Sequence, residues 1–162
     1  MILFLNGAFG IGKTTVARAL VERLPRAVLF DPEPIGIVLQ RLRRVDDFQD
    51  LALWRRLTLF GLRLTRLVRP NVVVPMAISN AAYLAELRDG ASSFDPRVLH
   101  VCLVAPFDVV QERLRGRGKD AGEWAMRRAR ECCDAHAGPR FAVQVDAQRE
   151  PSAIVEELLA QL

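Results

Sequence analysis

The sequence predicts a three-layer α/β/α domain with a five-stranded parallel sheet, strand order 2-3-1-4-5. Three observations lead there. Apolar runs of strand length alternate with helical patterns along all 162 residues. The apolar runs are nearly continuous, as in strands covered on both faces. A glycine-rich loop follows the first run directly and opens onto a helical pattern, Gly7-Ala-Phe-Gly10-Ile-Gly12-Lys13-Thr14.

The elements follow in order. Strands are expected at 2–6, 27–31, 71–76, 98–105 and 141–146, each rich in Val, Leu, Ile or Phe. Helices are expected at 13–24, 35–43, 48–68, 80–89, 106–115, 123–135 and 151–162. The longest carries Leu53, Leu57, Phe60, Leu64 and Leu67 at three- and four-residue steps, with Arg55, Arg56, Arg63 and Arg66 mostly off that stripe. Such a stripe reads as core packing. There is no repeat or linker, so residues 1–162 are expected to form one domain.

Composition narrows the function. Hydrophobic residues make up 51%, enough for a full core. No apolar stretch approaches the roughly 20 residues of a membrane span, and a cytoplasmic protein is expected. Cys102, Cys132 and Cys133 form no CxxC pair, and with His100 and His136 they make no zinc pattern. The net charge of +4 leaves nucleotides, nucleic acid or lipid headgroups open as anionic partners. Basic residues are interspersed with acids, which argues against nucleic acid. Of the 23 basic residues, 21 are Arg and only Lys13 and Lys119 are Lys. Against this background a single arginine says little, whereas a lysine in a motif says much.

Lys13 is in such a motif. G-x-x-x-x-G-K-[ST] between a strand and a helix is a phosphate-binding loop, placing this chain among P-loop NTPases. Its glycines let successive backbone N–H groups turn toward phosphate oxygens, and the following helix presents its positive end. The binding residues are therefore Gly7, Gly10, Ile11, Gly12, Lys13, Thr14 and Thr15, with Lys13 reaching the β- and γ-phosphates and Thr14 offering a hydroxyl to Mg²⁺. The extra Gly10 is similar to small nucleotide and metabolite kinases. Asp31 closes the second strand at the ligand-binding edge, where it either orients an acceptor hydroxyl and Mg²⁺ or caps a helix before Pro32. The third strand carries Pro75 where many P-loop proteins place a metal-holding aspartate, which leaves Asp31 as the substitute.

Residues 113–130 form a candidate lid, in which Arg113 and Arg117, and Arg127 or Arg128, would neutralise the transferring phosphoryl group. Lys119 lies in the same stretch and reads as a solvated loop residue. Asp146 ends the last strand, and 146–149 is expected to border the adenine or merely to turn the chain.

Further strings resemble a known family. Asn6-Gly7-Ala8-Phe9-Gly10, Asp31-Pro32-Glu33 with Gly36, Asp46-Asp47-Phe48-Gln49, Leu53-Trp54-Arg55, Val74-Pro75-Met76, Arg113-Leu114, Arg117 and Trp124 resemble the tunicamycin-resistance ATP-binding proteins (TmrB-like). The resemblance implies a nucleotide-kinase-like fold and binding of ATP and Mg²⁺. It also implies action on a nucleoside-like small molecule such as tunicamycin, by phosphoryl transfer or by ATP-dependent sequestration. The acceptor is expected within 32–68. There Asp47, Gln49, Trp54 and Arg55 either clamp it or serve as caps, core and surface.

Overall fold

The computed structural model describes residues 1–116, 122–141 and 143–162. Strand β1 (Ile2–Gly7) lies at the centre of the sheet. It is flanked by β3 (Asn71–Met76) and β4 (Val98–Val104), with β2 (Ala27–Leu29) and β5 (Gln144–Asp146) at the edges. The order β2-β3-β1-β4-β5 and the parallel pairing of every neighbour match the sequence reading.

β1 is buried along its whole length, because its alternate side chains enter two separate cores. Leu3 and Leu5 pack with Val73 and Leu103 under α1 (Lys13–Arg23) and α7 (Pro151–Gln161). Ile2 and Phe4 pack with Val72, Val74 and Cys102 under α3 (Ala52–Val68) and α4 (Ala81–Ser92). The remaining helices are α2 (Glu33–Arg43), α5 (Phe107–Arg115) and α6 (Glu123–His136). Parallel strands close with all C-terminal ends on one edge, and the phosphate loop opens there.

Several boundaries differ from expectation, four of them with a clear local cause. β2 stops at Leu29, two residues before Asp31, and Phe30 adds one bond from its N–H to the Val73 carbonyl. Pro32, lacking an N–H, cannot extend the ladder. α2 starts at Glu33 because Asp31 Oδ1 accepts from the Glu33 N–H at 2.9 Å. The segment 48–68 is not one helix: a 3-10 turn, Phe48–Asp50, precedes α3, with Leu51 extended between them. Residues Pro139–Phe141 also form a 3-10 turn, which delays β5 to Gln144.

The short β2 accounts for Pro75 in an interior strand. β2 pairs only with Asn71, Val72 and Val73, so at Pro75 the strand has a neighbour on the β1 side alone, opposite Leu5.

The leucine stripe of α3 is corrected outright. Leu53, Phe60, Leu64 and Leu67 are 42%, 60%, 49% and 77% exposed, while the same helix buries Trp54, Arg55, Thr58 and Leu62. The periodicity reports an apolar face, but that face points away from the core.

Candidate functional site

The phosphate loop runs from the end of β1 into α1. Gly10 and Gly12 adopt φ of +82° and +108°, in the left-handed region that favours glycine. A side chain on Gly10 would also meet Leu114 of α5 at 2.7 Å. Lys13 begins α1, is largely buried, donates from Nζ to the Ala8 carbonyl at 2.9 Å and lies 5.5 Å from the Phe9 ring. Thr14 and Thr15 are exposed on the first turn.

Three adjoining cavities surround this loop. The central one, about 190 Å³, is bounded by Gly10, Gly12, Lys13 and Thr14 on one side and Asp31, Glu33 and Pro75 on the other. The structure thus brings Lys13, Thr14 and Asp31 together, and adds Glu33, which the resembling string Asp31-Pro32-Glu33 contains without a role of its own. Burial raises the Glu33 carboxyl above its usual range; the Lys13 ammonium offsets part of that and the Asp31 charge adds to it. Asp31 is exposed, and it serves as a helix cap while also lining the cavity.

The second cavity, about 480 Å³, shares Gly10 and Gly12 with the first and extends past Thr15 and Arg113 to the Ala147–Pro151 loop. Arg113 Nη1 donates to the Ile11 and Ala147 carbonyls at 3.1 and 2.9 Å, tying the phosphate loop to the segment after β5. Asp146 lies outside this cavity. Its Oδ1 accepts from the Gln148 N–H at 2.9 Å, and it borders a 520 Å³ hollow with His136 and Gln144 that shares Ile11 and Gln148 with the second cavity.

The third cavity, about 440 Å³, shares Phe9 and Glu33 with the first and is closed by Ile37, Val45, Phe48 and Trp124, with Gln40 and Asp46 as its polar groups. Phe9 and Trp124 meet edge to face, 5.8 Å between ring centres. Phe48, Trp124 and Asp46 belong to the resembling strings, whereas no residue-type signal marks Ile37, Gln40 or Val45. The wall forms because α2 and the turn before α3 fold over the phosphate loop.

The residues expected to clamp the acceptor form the frame behind that wall instead. Trp54 is buried, donates from Nε1 to the Pro32 carbonyl at 3.0 Å and packs on Phe48 at 5.0 Å. Gln49 Nε2 donates to the Ala77 carbonyl at 3.0 Å. Arg55 donates to the Gln49 carbonyl and to Glu86, both at 2.6 Å, and stacks over Tyr83. Asp47 Oδ1 accepts from the Gln49 N–H, and its Oδ2 pairs with Arg128 at 2.8 Å. Arg128 also pairs with Glu131, and Arg127 is exposed. Arg117 and Lys119 lie outside the described residues.

A further network, of which the sequence marks only Asn6 through the resembling string, holds the site edge. Asn6, at the end of β1, exchanges two hydrogen bonds of 2.9 Å with the backbone of Ile78, while His136 Nε2 lies 2.7 Å from the Ile78 carbonyl. Burial pushes the His136 imidazole down to about 4, so it is neutral and donates this bond.

No group of three or more His, Cys, Asp or Glu side chains able to hold a metal occurs among the described residues. The donor set around the loop instead fits a cation carried in with phosphates: the exposed Thr14 hydroxyl and the Asp31 carboxylate face one cavity. No helix is long and apolar enough to cross a membrane among the described residues.

Comparison with known proteins agrees with this geometry. Residues 2–136 match the AAA domain family model. The tunicamycin resistance protein of Deinococcus radiodurans is 32% identical, with a TM-score of 0.79 over 99% of this chain and 94% of that one. A gluconokinase from Sinorhizobium meliloti (21% identity, TM-score 0.68, 98% and 89% covered) shares the fold. So does a shikimate kinase from Bacteroides thetaiotaomicron (20%, 0.69, 100% and 99%). No curated protein sequence matches the chain. With a family match spanning most of its length and a relative above 30% identity, the chain belongs to the AAA domain family of P-loop kinase-like proteins and, within it, to the tunicamycin-resistance proteins.

Proposed function

We propose that this protein transfers the γ-phosphoryl group of ATP, with Mg²⁺, to a hydroxyl of a nucleoside-like small molecule, tunicamycin being one candidate. The observation that carries this reading is the chain of three adjoining cavities along the phosphate loop, with Lys13 lining the central one: room for a base, for phosphates and for an acceptor, in that order.

The base lies against Arg113 and the Ala147–Pro151 loop. The N–H groups from Gly7 to Thr15 take the phosphates, and Lys13 exchanges its bond to the Ala8 carbonyl for phosphate oxygen. Mg²⁺, when bound, neutralises charge on the phosphates, with Thr14 and Asp31 as its protein-side partners. Asp31 orients the acceptor hydroxyl, and the raised carboxyl of Glu33 stands beside it as a second proton acceptor. Ile37, Val45, Phe48 and Trp124 offer an apolar wall for a ring, and Gln40 and Asp46 offer hydrogen bonds. Trp54, Gln49, Arg55 and Asp47 act through the frame they build. Arg117 keeps its proposed role in charge neutralisation.

The test uses γ-labelled ATP with tunicamycin and with uridine as acceptors. Label in the organic product supports the reading. ATP-dependent drug binding without transfer would replace it by sequestration. Lys13→Ala is expected to lower transfer about 100- to 1000-fold; a variant that binds and turns over ATP like the parent removes the phosphate site from the argument.

A further inference from the structure

The 520 Å³ hollow beside the phosphate loop takes no part in the transfer proposed above, although it is the largest of the four cavities described. Its size suits a small ligand. It shares Ile11 and Gln148 with the base cavity, but Lys13, Thr14, Thr15 and Arg113 do not line it. Leu103, Pro106 and Phe107, where β4 passes into α5, give it apolar surface. The last turn of α6 and the β5 segment give it polar groups: Asp134, His136, Gln144, Asp146 and Gln148.

The polar atoms left unspent there are nearly all acceptors. Gln144 Nε2 donates to the His136 and Gly138 carbonyls at 2.6 and 3.3 Å, which leaves the amide oxygen free. Asp146 Oδ1 takes both the backbone N–H and Nε2 of Gln148, and Oδ2 has no partner among the described residues. The Asp134 carboxylate has none there either. His136 is 1% exposed and donates from Nε2 to the Ile78 carbonyl, outside the hollow. Its Nδ1 is then an acceptor, and it is buried with no hydrogen-bond partner among the described residues. A buried acceptor without a donor is costly. Against these acceptors stand one N–H of Gln148 and the weak thiol donor of Cys133.

Charge points the same way. Two carboxylates and no Lys or Arg line the hollow among the described residues. Helix α6 ends here and turns the negative end of its dipole to it. Helix α5 begins here, and Asp108 in its first turn offsets the positive end. The Phe107 ring already carries a cation on one face, the Arg130 guanidinium 3.9 Å from its centre.

We propose that this hollow binds a small organic cation, an amidinium or guanidinium on a flat apolar body, as a ligand separate from both ATP and the acceptor. Its N–H groups donate to the carboxylates of Asp134 and Asp146 and to His136 Nδ1, and its body lies against Phe107, Pro106 and Leu103. The paired carboxylates repel a phosphate or carboxylate ligand.

The test titrates the full chain, without nucleotide, with benzamidine, benzamide and benzoate, which share a ring and differ in charge. Benzamidine is expected to bind about tenfold tighter than benzamide or better, and benzoate not to bind. Asp134→Asn with Asp146→Asn should bring benzamidine down to the level of benzamide. Both positions are exposed, and an unchanged unfolding midpoint checks the fold; either single variant serves if the double one is unstable. Cys133 reports the location, because it lines the hollow half-buried while Cys102 and Cys132 are buried. Its alkylation by a maleimide, followed by peptide mass spectrometry, should slow in proportion to the benzamidine bound.

Four results overturn the inference. The first is equal affinity for the three probes, or none for benzamidine. The second is benzamidine binding that survives both Asn substitutions. The third is a Cys133 that benzamidine leaves unprotected. The fourth is competitive displacement of benzamidine by ADP, which would make the hollow an annex of the base cavity. A failure of phosphoryl transfer moves none of these readouts.

Discussion

Arg128 of α6 holds Asp47, in the turn before α3, with Nη2 and Oδ2 2.8 Å apart and both side chains largely buried. Asp47 also caps the 3-10 turn through the Gln49 N–H, so this pair ties α6, which the lid candidate enters, to the segment framing the acceptor cavity. A double-mutant cycle of Asp47→Asn and Arg128→Gln should return a coupling energy of about 1–3 kcal/mol in unfolding free energy. Additive losses would show that the pair is incidental.

Trp54 positions the Asp31 turn through its bond to the Pro32 carbonyl. Trp54→Phe keeps the ring but removes the donor. Stability should fall by about 1 kcal/mol, and the transfer rate should fall while ATP affinity stays at the parent value. Calorimetric nucleotide titration beside acceptor kinetics separates the two. Equal losses in both would place Trp54 in general core support.

Thr58 is fully buried on the inner side of α3, and its Oγ1 has no hydrogen-bond partner among the described residues. A buried hydroxyl without a partner costs its desolvation without return. Thr58→Val should therefore raise stability by about 1 kcal/mol in chemical denaturation. A destabilised variant would contradict the inward, unsatisfied placement of that hydroxyl.

His136 gives the fold an acid limit. Burial depresses its imidazole from 6.5 to about 4, so the unfolded chain takes up the proton first. Its contribution is fully present above about pH 6.5 and is lost as pH falls toward 4. The loss reaches roughly 2 kcal/mol by pH 5 and roughly 3 kcal/mol below pH 4. Unfolding curves for the parent and His136→Gln at pH 7 and pH 5 should differ in slope, with the variant flatter.

The sheet was legible because apolar runs alternate with helical patterns along the chain, and Gly7 to Thr14 was legible because its chemistry needs those residue types at that spacing. α3 was misread for a physical reason. Periodicity reveals that Leu53, Phe60 and Leu64 share a face, but not that the opposite face, through Trp54 and Leu62, is the one the sheet covers. Asp47, Gln49, Trp54 and Arg55 stood out by resemblance, yet their hydrogen bonds go to backbone and to one another's neighbours. Ile37 and Val45 of the acceptor wall carry no such mark, since ordinary apolar residues become a cavity only through the path of the chain.

The three-residue β2 gives the molecule a modular construction. From Phe30 to Asp50, the chain leaves the sheet after one bond to Val73 and is brought back by Trp54, Gln49 and Arg128. The core on the α1 and α7 side of the sheet contains no residue of that excursion among the described residues. An inherited or grafted replacement of this stretch would change what the protein accepts while leaving the sheet and its phosphate loop intact, so selectivity can diverge here faster than the fold that supports it.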